Sequence, residues 1–123
     1  MASAAKAHLD TYLEGWRLGQ PEISLPALAS GFHYDDPNTG RIFQDGFADF
    51  MEAFKADAAA LNGGKPGTPF LTYTDIVVDA AVNPARAWCW WQATGTDLQG
   101  AALIHFDDTG ILSERIAYFS ELP

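Results

Sequence analysis

The sequence has 123 residues, of which 48% are apolar and 13% aromatic, so one globular domain over residues 1–123 is expected. Sixteen acidic residues against seven basic ones give a formal net charge of −9. A surface this acidic repels nucleic acid and anionic membranes, which are therefore excluded as partners. No apolar run is long enough to span a bilayer, and the first residues do not form a secretory signal, so we expect a cytoplasmic protein.

Neither a disulfide nor a metal site is predicted. Cys89 is the only cysteine, which excludes an internal disulfide and favours a small core residue in a reducing compartment. The three histidines show no spacing typical of metal ligands. No nucleotide-binding motif is present either, so the expected chemistry needs no cofactor.

The first half of the chain begins with helical patterns and then changes to a strand pattern. Apolar residues at helical spacing predict a helix from Ser3 to Leu18, which Gly19 ends. A short helix or pair of turns follows in "PEISLPALAS". In "GFHYDDPNTGRIF" the alternation predicts a strand with Phe32, Tyr34 and Asp36 on one face.

The second half begins with a long helix and ends with strands. "QDGFADFMEAFKADAAALNGG" carries an apolar stripe and a glycine stop, which predict the clearest helix of the chain. Turn signals then separate four predicted strands, at Phe70–Asp79, Ala85–Thr96, Gln99–Asp107 and Ile111–Phe119. Helices first and antiparallel strands last predict an α+β fold, with the helices on one face of a curved sheet.

Four segments in this order carry a resemblance to a known family. They are "RLGQPE" after the first helix, the strand end "DDPNTG", the helix start "DGFADFMEAF" and the closing "HFDDTGILSERIAYF". Together they resemble the nuclear transport factor 2-like superfamily, in its ketosteroid isomerase and SnoaL-like polyketide cyclase branches. The resemblance covers essentially the whole chain and implies a cone, in which the sheet wraps around the helices and leaves an apolar pocket.

The ketosteroid isomerase pattern also implies roles for individual residues. Tyr12 and Asp36 match the tyrosine of the first helix and the aspartate before a proline, whereas Ile104 stands where a second aspartate is expected. The resemblance implies that Asp36 is a general base and that Tyr12 donates a hydrogen bond to the oxygen that gains charge. Arg115 is a candidate replacement for the missing acid, because a guanidinium could hold a carbonyl-bearing ligand.

Strand registers taken from the same resemblance predict which side chains face the pocket. The expected lining is Phe32, Tyr34, Phe50, Phe54, Trp91, Ile104, Phe106, Arg115 and Phe119. Aligning the last strand backward from Phe119 turns Ser113, Arg115 and Ala117 inward as well. The opposite face would then carry Leu112, Glu114, Ile116 and Tyr118.

Three tryptophans crowd the segment "AWCWWQ". The alignment turns Cys89 and Trp91 inward and Trp88 and Trp90 outward, although a one-residue bulge would exchange the two sets. Outward tryptophans would form a large apolar patch, so a homodimer is predicted through this face. The predicted interface consists of Trp88, Trp90, His105, Ile116 and Tyr118.

Structural alternatives remain open for both candidate catalytic residues. An aspartate before a proline often accepts backbone hydrogen bonds at a turn, and Tyr12 could simply be a core aromatic. Two functions follow. One is an isomerase, cyclase or dehydratase acting on a small hydrophobic carbonyl compound. The other is a non-catalytic dimeric module that binds a small ligand or only assembles.

Overall fold

A computed structural model describes residues 3–119. The helices in this range are α1 (Ala4–Leu18), α2 (Pro21–Ser24) and α3 (Phe47–Ala60), none of them long and apolar enough to cross a membrane. The strands are β1 (Leu28–Asp36), β2 (Gly40–Phe43), β3 (Leu71–Asp79), β4 (Ala85–Ala93), β5 (Gln99–Asp107) and β6 (Gly110–Tyr118). The predicted α+β arrangement is therefore confirmed.

Helix α1 begins and ends at residues suited to those positions. The Ser3 side chain accepts a hydrogen bond from the Lys6 backbone N–H at 3.1 Å, which satisfies a free donor of the first turn. Gly19 ends the helix in the left-handed region with φ 69°, where a side chain would be strained. The helix buries its apolar face, which carries Leu9, Tyr12, Leu13 and Trp16.

The six strands form one open, curved sheet in the order β2-β1-β6-β5-β4-β3. Strands β1 and β6 are parallel, and every other neighbouring pair is antiparallel. The first and last strands of the main sheet are thus neighbours. In their register Tyr34 is the partner of Glu114, so these two side chains lie next to each other.

Strand β4 alternates as the sequence predicts. Cys89 and Trp91 are buried, whereas Trp88 is 53% exposed on the outer face. The predicted register of the tryptophan segment is therefore confirmed, and the alternative with a bulge is not observed here.

The predicted register of β6 is wrong, because Phe119, the residue from which the strand was aligned, is exposed. The strand also contains a bulge. Ile111 pairs with Phe106 of β5, yet Ser113 already pairs with His105, so Leu112 is an extra residue. The extra residue lets Ile111 and Glu114 both face inward, although the two are three residues apart. Glu114, Ile116 and Tyr118 lie on the inner face, contrary to the prediction, whereas Arg115, Ala117 and Phe119 are exposed.

Aromatic rings fill the space between the helices and the sheet. The Trp16 ring stacks on Tyr34 at 5.6 Å between centroids and meets the edges of Phe47, Phe50 and Phe54 at 5.7–6.2 Å. Such pairs contribute about 0.5–1.5 kcal/mol each beyond the burial of their area. This cluster joins α1, α3 and β1 and fixes the side chains around it.

Candidate active site

A buried tyrosine–carboxyl pair joins α1 to β6. The Tyr12 hydroxyl donates a hydrogen bond to Glu114 Oε1 at 2.5 Å, and the two residues are only 0% and 3% exposed. The Ser24 hydroxyl donates to the Tyr12 carbonyl at 2.8 Å, which holds this turn of α1 in place. The rings of Phe32 and Phe47 pack against the phenol at 6.1 and 6.0 Å.

The environment of this pair shifts the proton affinity of both groups. Burial raises the pKa of Glu114 to about 7, and the hydrogen bond from Tyr12 opposes this rise. Burial also holds the pKa of Tyr12 well above its usual value, and the negative charge of Glu114 raises it further. Tyr12 therefore stays a phenol, while Glu114 can gain or lose its proton near neutral pH. A carboxyl group in this condition is suited to acid–base chemistry.

The other ionisable groups near Glu114 are neutral at pH 7. The charge of Glu114 contributes to raised pKa values of Tyr34, Tyr73 and Cys89, although burial is the larger cause in each. The Cys89 pKa reaches about 12, so this side chain is a neutral core thiol. Within residues 3–119, no basic side chain forms an ion pair with Glu114.

Sequence reasoning missed Glu114 because β6 was aligned backward from Phe119, which faces outward. Glu114 is the cross-strand partner of Ile104, the residue that occupies the place of the expected second aspartate. A carboxyl group is therefore present on the inner face, one strand away from the predicted position. The available signal was the alternation of Leu112, Glu114 and Ile116, in which an acid stands between two large apolar residues.

The sequence left two positions open for Asp36, one capping a turn and one facing the interior, and the structure shows features of both. Its Oδ1 accepts the backbone N–H groups of Asn38 and Thr39 at 2.6 and 3.2 Å, so the side chain does cap the turn. It is nevertheless only 3% exposed, and its Oδ2 accepts a hydrogen bond from the Tyr118 hydroxyl at 2.8 Å. Asp36 is thus a buried, hydrogen-bonded carboxyl group at the end of β1.

Tyr34 lies near both carboxyl groups. It is 3% exposed, and the charges of Glu114 and Asp36 both contribute to its raised pKa. Both tyrosine–carboxyl pairs, Tyr12–Glu114 and the half-buried Tyr118–Asp36, therefore lie within range of Tyr34, in one region of the inner face. Trp91 extends this region, because its ring meets the edge of Tyr118 at 5.6 Å.

Most of the predicted lining residues lie in this interior, and two do not. The buried ones are Phe32, Tyr34, Phe50, Phe54, Trp91, Ile104 and Phe106. Phe119 is 74% exposed and packs on Trp90, so its predicted inward position is wrong. Arg115 is also exposed, and it lines a surface cleft of about 290 Å³ beside Asp36. That the buried set binds a ligand stays a prediction.

A second cleft opens between α1 and β3, with a volume of about 400 Å³. Leu13 and Tyr73 are part of its lining, which mixes apolar and charged side chains. Leu13 directly follows Tyr12 in α1, and Tyr73 is near enough to Glu114 for the carboxylate charge to raise its pKa. This cleft therefore lies on the side of α1 and β3 that carries Leu13 and Tyr73.

Metal-binding geometry is not found in the described range. Among residues 3–119, no three His, Cys, Asp or Glu side chains are grouped so that they could hold a metal ion. His33 lies near Asp35, and the half-buried His105 faces away from the core, where burial lowers its pKa. The acid–base groups of the interior are thus tyrosines and carboxyls.

The outer face of the sheet presents an apolar patch, which differs in part from the predicted one. Trp88 pairs across the sheet with Leu103, and Trp90 packs against Phe119 at 5.4 Å between ring centroids. Ile116 and Tyr118 lie on the inner face of β6 and are not part of this patch. We define the outer patch as Trp88, Trp90, Leu103 and Phe119.

Comparisons with solved structures identify the fold. A protein of unknown function with a cystatin-like fold from Methylobium petroleophilum PM1 is 20% identical, with 98% of this chain and 78% of that chain covered and a TM-score of 0.64. An NTF2-like protein of unknown function from Cytophaga hutchinsonii ATCC 33406 is 12% identical, with 96% and 92% covered and a TM-score of 0.65. A polyketide cyclase candidate from Xanthomonas campestris pv. campestris is 19% identical, with 92% and 88% covered and a TM-score of 0.59.

Sequence comparisons add no closer relative. No protein-family model matches the chain, and a comparison with curated proteins finds no match either. The structural likenesses cover nearly the whole chain at identities of 20% or less, so they establish its architecture. The chain has the NTF2-like, cystatin-like fold that its sequence resembles.

Proposed function

We propose that this chain is a cofactor-free enzyme that moves a proton next to the carbonyl group of a hydrophobic compound. The observation that carries the proposal is the Tyr12–Glu114 hydrogen bond inside an aromatic interior, with a Glu114 pKa of about 7. A neutral phenol beside a carboxyl group that titrates near pH 7 can stabilise the charge that develops on a carbonyl oxygen.

The pair supplies a donor for that oxygen. When Glu114 is protonated, it can donate its own hydrogen to the Tyr12 oxygen, which frees the phenolic hydrogen for the substrate. Removing one donor of this kind commonly raises a reaction barrier by roughly 3–4 kcal/mol. Glu114 would thus replace, through Tyr12, the acid that is absent at Ile104.

Asp36 is the proposed base of the same reaction. A carboxylate has about four lone-pair positions, and Asn38, Thr39 and Tyr118 use three of those on Asp36. One position remains to accept a proton from the carbon next to the carbonyl group. Isomerisation, aldol-type cyclisation and dehydration all begin with this transfer, and the likeness to a polyketide cyclase candidate supports this class.

The cleft between α1 and β3 is the proposed entrance to the site. Its volume of about 400 Å³ suits a small molecule, and Tyr73 in its lining is within range of the Glu114 charge, which adds to the effect of burial on the Tyr73 pKa. A hydrophobic compound could pass along the apolar side chains of Leu13 and Ile76, with its carbonyl group leading toward Tyr12.

The test is exchange of hydrogen for deuterium next to the carbonyl group in a panel of hydrophobic cyclic ketones, followed by NMR. The wild-type protein should accelerate exchange over buffer, and Tyr12→Phe should reduce the rate roughly 10²–10³-fold. Thr96→Val is the control, because it removes a buried hydroxyl from the β4–β5 turn and should lower stability without lowering activity.

Two results would contradict the proposal. Exchange by the wild-type protein at the rate of heat-unfolded protein, for every ketone, would favour the non-catalytic module. Equal rates for the wild type and Tyr12→Phe would remove the phenol from the mechanism.

We also propose that the outer patch is the interface of a homodimer. Trp88 is 53% and Phe119 74% exposed, which is unusual for two large aromatic side chains on one face of a monomer. We expect a dimer by size-exclusion chromatography with light scattering, and a monomer for Trp88→Glu. Gln44→Glu adds the same charge at an exposed position and should stay dimeric. A monomeric wild type at high concentration would contradict the proposal.

A further inference from the structure

Two arginines on the outer face of the sheet have no carboxylate partner. Of the four arginines in the sequence, Arg17 and Arg41 each form an ion pair with an acidic side chain. Within residues 3–119, the guanidinium groups of Arg86 and Arg115 form neither an ion pair nor a hydrogen bond. In a chain with sixteen acidic residues, these two arginines are a local excess of positive charge.

The strand registers place the two arginines on either side of His105. Arg86 of β4 is the cross-strand partner of His105 of β5. Arg115 of β6 is the partner of Leu103, which precedes His105 by two residues on the same face. Side chains in such direct and diagonal positions lie about 5–8 Å apart. The charges of both arginines add to the effect of burial in lowering the His105 pKa, which agrees with this placement. We define the basic strip as Arg86, His105 and Arg115.

The basic strip is accessible from solvent and has a hydroxyl group beside it. Arg86 and Arg115 are exposed, and His105 is half-buried. Arg115 also lines the surface cleft of about 290 Å³. Ser113 is the partner of His105 in β6 and of His33 in β1, and its hydroxyl oxygen lies 3.5 Å from His105 Nδ1. The outer face thus presents several hydrogen-bond donors in one place.

The acidic side chains around the basic strip do not neutralise it. Asp35 of β1 accepts two hydrogen bonds from Arg41, at 2.8 and 3.2 Å. Asp79 of β3 and Asp107 of β5 each accept a backbone N–H of a turn, at 3.1 and 2.8 Å. In the described part of the chain, none of the three forms an ion pair with the strip. The whole chain carries a net charge of −9 and repels polyanions, whereas a small ligand responds mainly to the nearby charges.

We propose that the basic strip binds a small tetrahedral oxyanion, which is a phosphate or sulfate group. Guanidinium groups bind such oxygens through paired N–H donors, and the His105 ring and the Ser113 hydroxyl add further donors. The site lies on the opposite face of the sheet from Tyr12 and Asp36, so it does not depend on the proposed reaction. All its side chains belong to one chain, so it is complete with or without the proposed dimer.

Titration with inorganic phosphate, followed by ¹⁵N NMR at constant ionic strength in sodium chloride, tests the site. The signals of the outer face of β4, β5 and β6 should shift and reach saturation. Arg86→Gln and Arg115→Gln should each weaken binding about tenfold, as expected for the loss of a charge-assisted hydrogen bond. Arg17→Gln is the matched control, because it removes the same charge from an ion pair on α1 and should change the affinity less than about twofold.

The His105 ring gives a second readout, which separates a specific site from general attraction of anions. Sulfate keeps two negative charges at neutral and mildly acidic pH, and binding beside His105 favours the protonated ring. By linkage, the His105 pKa should be higher in sodium sulfate than in sodium chloride of equal ionic strength. Sulfate affinity should correspondingly increase as the pH falls. Comparison with the His105→Gln spectrum identifies the ring signal.

Three results would overturn the site. They are the absence of saturable shifts at millimolar phosphate or sulfate, equal weakening by Arg17→Gln and the two strip variants, and identical His105 titrations in the two salts. The last of these needs no arginine variant to fold. Phenyl phosphate distinguishes the source of the group: tighter binding than inorganic phosphate supports a small phosphate ester, and equal or weaker binding supports the free ion.

Discussion

The Glu114→Gln protein should gain about 3 kcal/mol of stability over the wild type as the pH rises from about 4.5 to above about 7. Glu114 has its ordinary pKa of 4.5 in the unfolded chain and about 7 in the folded protein. Folding therefore favours the protonated form. The stability that this form contributes is fully present below about pH 4.5 and is lost as the pH rises through about 7. Glutamine mimics the protonated side chain, so the variant keeps this stability over the same pH range.

The neighbours of Glu114 support an upward shift of its pKa in the folded protein. The ionisable side chains within range of its charge are Tyr12 from α1, Tyr34 from β1, Tyr73 from β3 and Cys89 from β4, and burial raises the pKa of each, so all are neutral at pH 7. None supplies a positive charge that would favour the ionised form. Only the hydrogen bond from Tyr12 favours the carboxylate, and burial outweighs it.

Urea unfolding at several pH values between about 4.5 and 9 measures the effect as a difference between the two proteins. Both proteins contain all the other carboxyl groups, so the effect of their titration cancels in the difference between the two free energies of unfolding. Glu22→Gln is the matched control, because Glu22 is exposed in α2, and its curve should run parallel to that of the wild type. Parallel curves for Glu114→Gln would show that the Glu114 pKa is ordinary, and the acid–base role of the pair would then lose its basis.

Local patterns were sufficient to predict most of the fold. Helix α1 was expected at Ser3–Leu18 and occupies Ala4–Leu18, because a serine cap, an apolar face and a glycine stop all act within the helix itself. Strand β4 was expected to begin at Ala85 with Trp91 inward, and it does. The alternation of buried and exposed side chains in β4 is uninterrupted. The face of each side chain can therefore be predicted from its position along the strand.

The site was less predictable because it depends on contacts between distant elements. Tyr12 and Asp36 were expected to face inward, and both are buried. Glu114 was placed on the outer face because β6 was aligned backward from Phe119, and the outward direction of Phe119 depends on its packing against Trp90 of another strand.

Asp36→Asn should lower the rate of ketone proton exchange roughly 10²–10⁴-fold, the usual contribution of a positioned general base. An amide has no basic oxygen that could take the proton. The affinity for the ketone should change little, because Tyr12, the proposed donor to its oxygen, is on α1. A loss of rate without a loss of binding is the signature of a group that acts on the proton rather than on the ligand.

Asp35→Asn is the matched control in the adjacent position of β1. Asp35 is half-buried on the opposite face and accepts a hydrogen bond from Arg41 Nε at 2.8 Å, so its replacement removes the same charge outside the site. Its exchange rate should stay within about twofold of the wild type, as for a surface substitution. If the two variants exchange protons equally well, Asp36 serves only to cap its turn through Asn38 and Thr39. An asparagine oxygen can still accept those two backbone N–H groups, so the comparison separates the chemical role of Asp36 from its structural one.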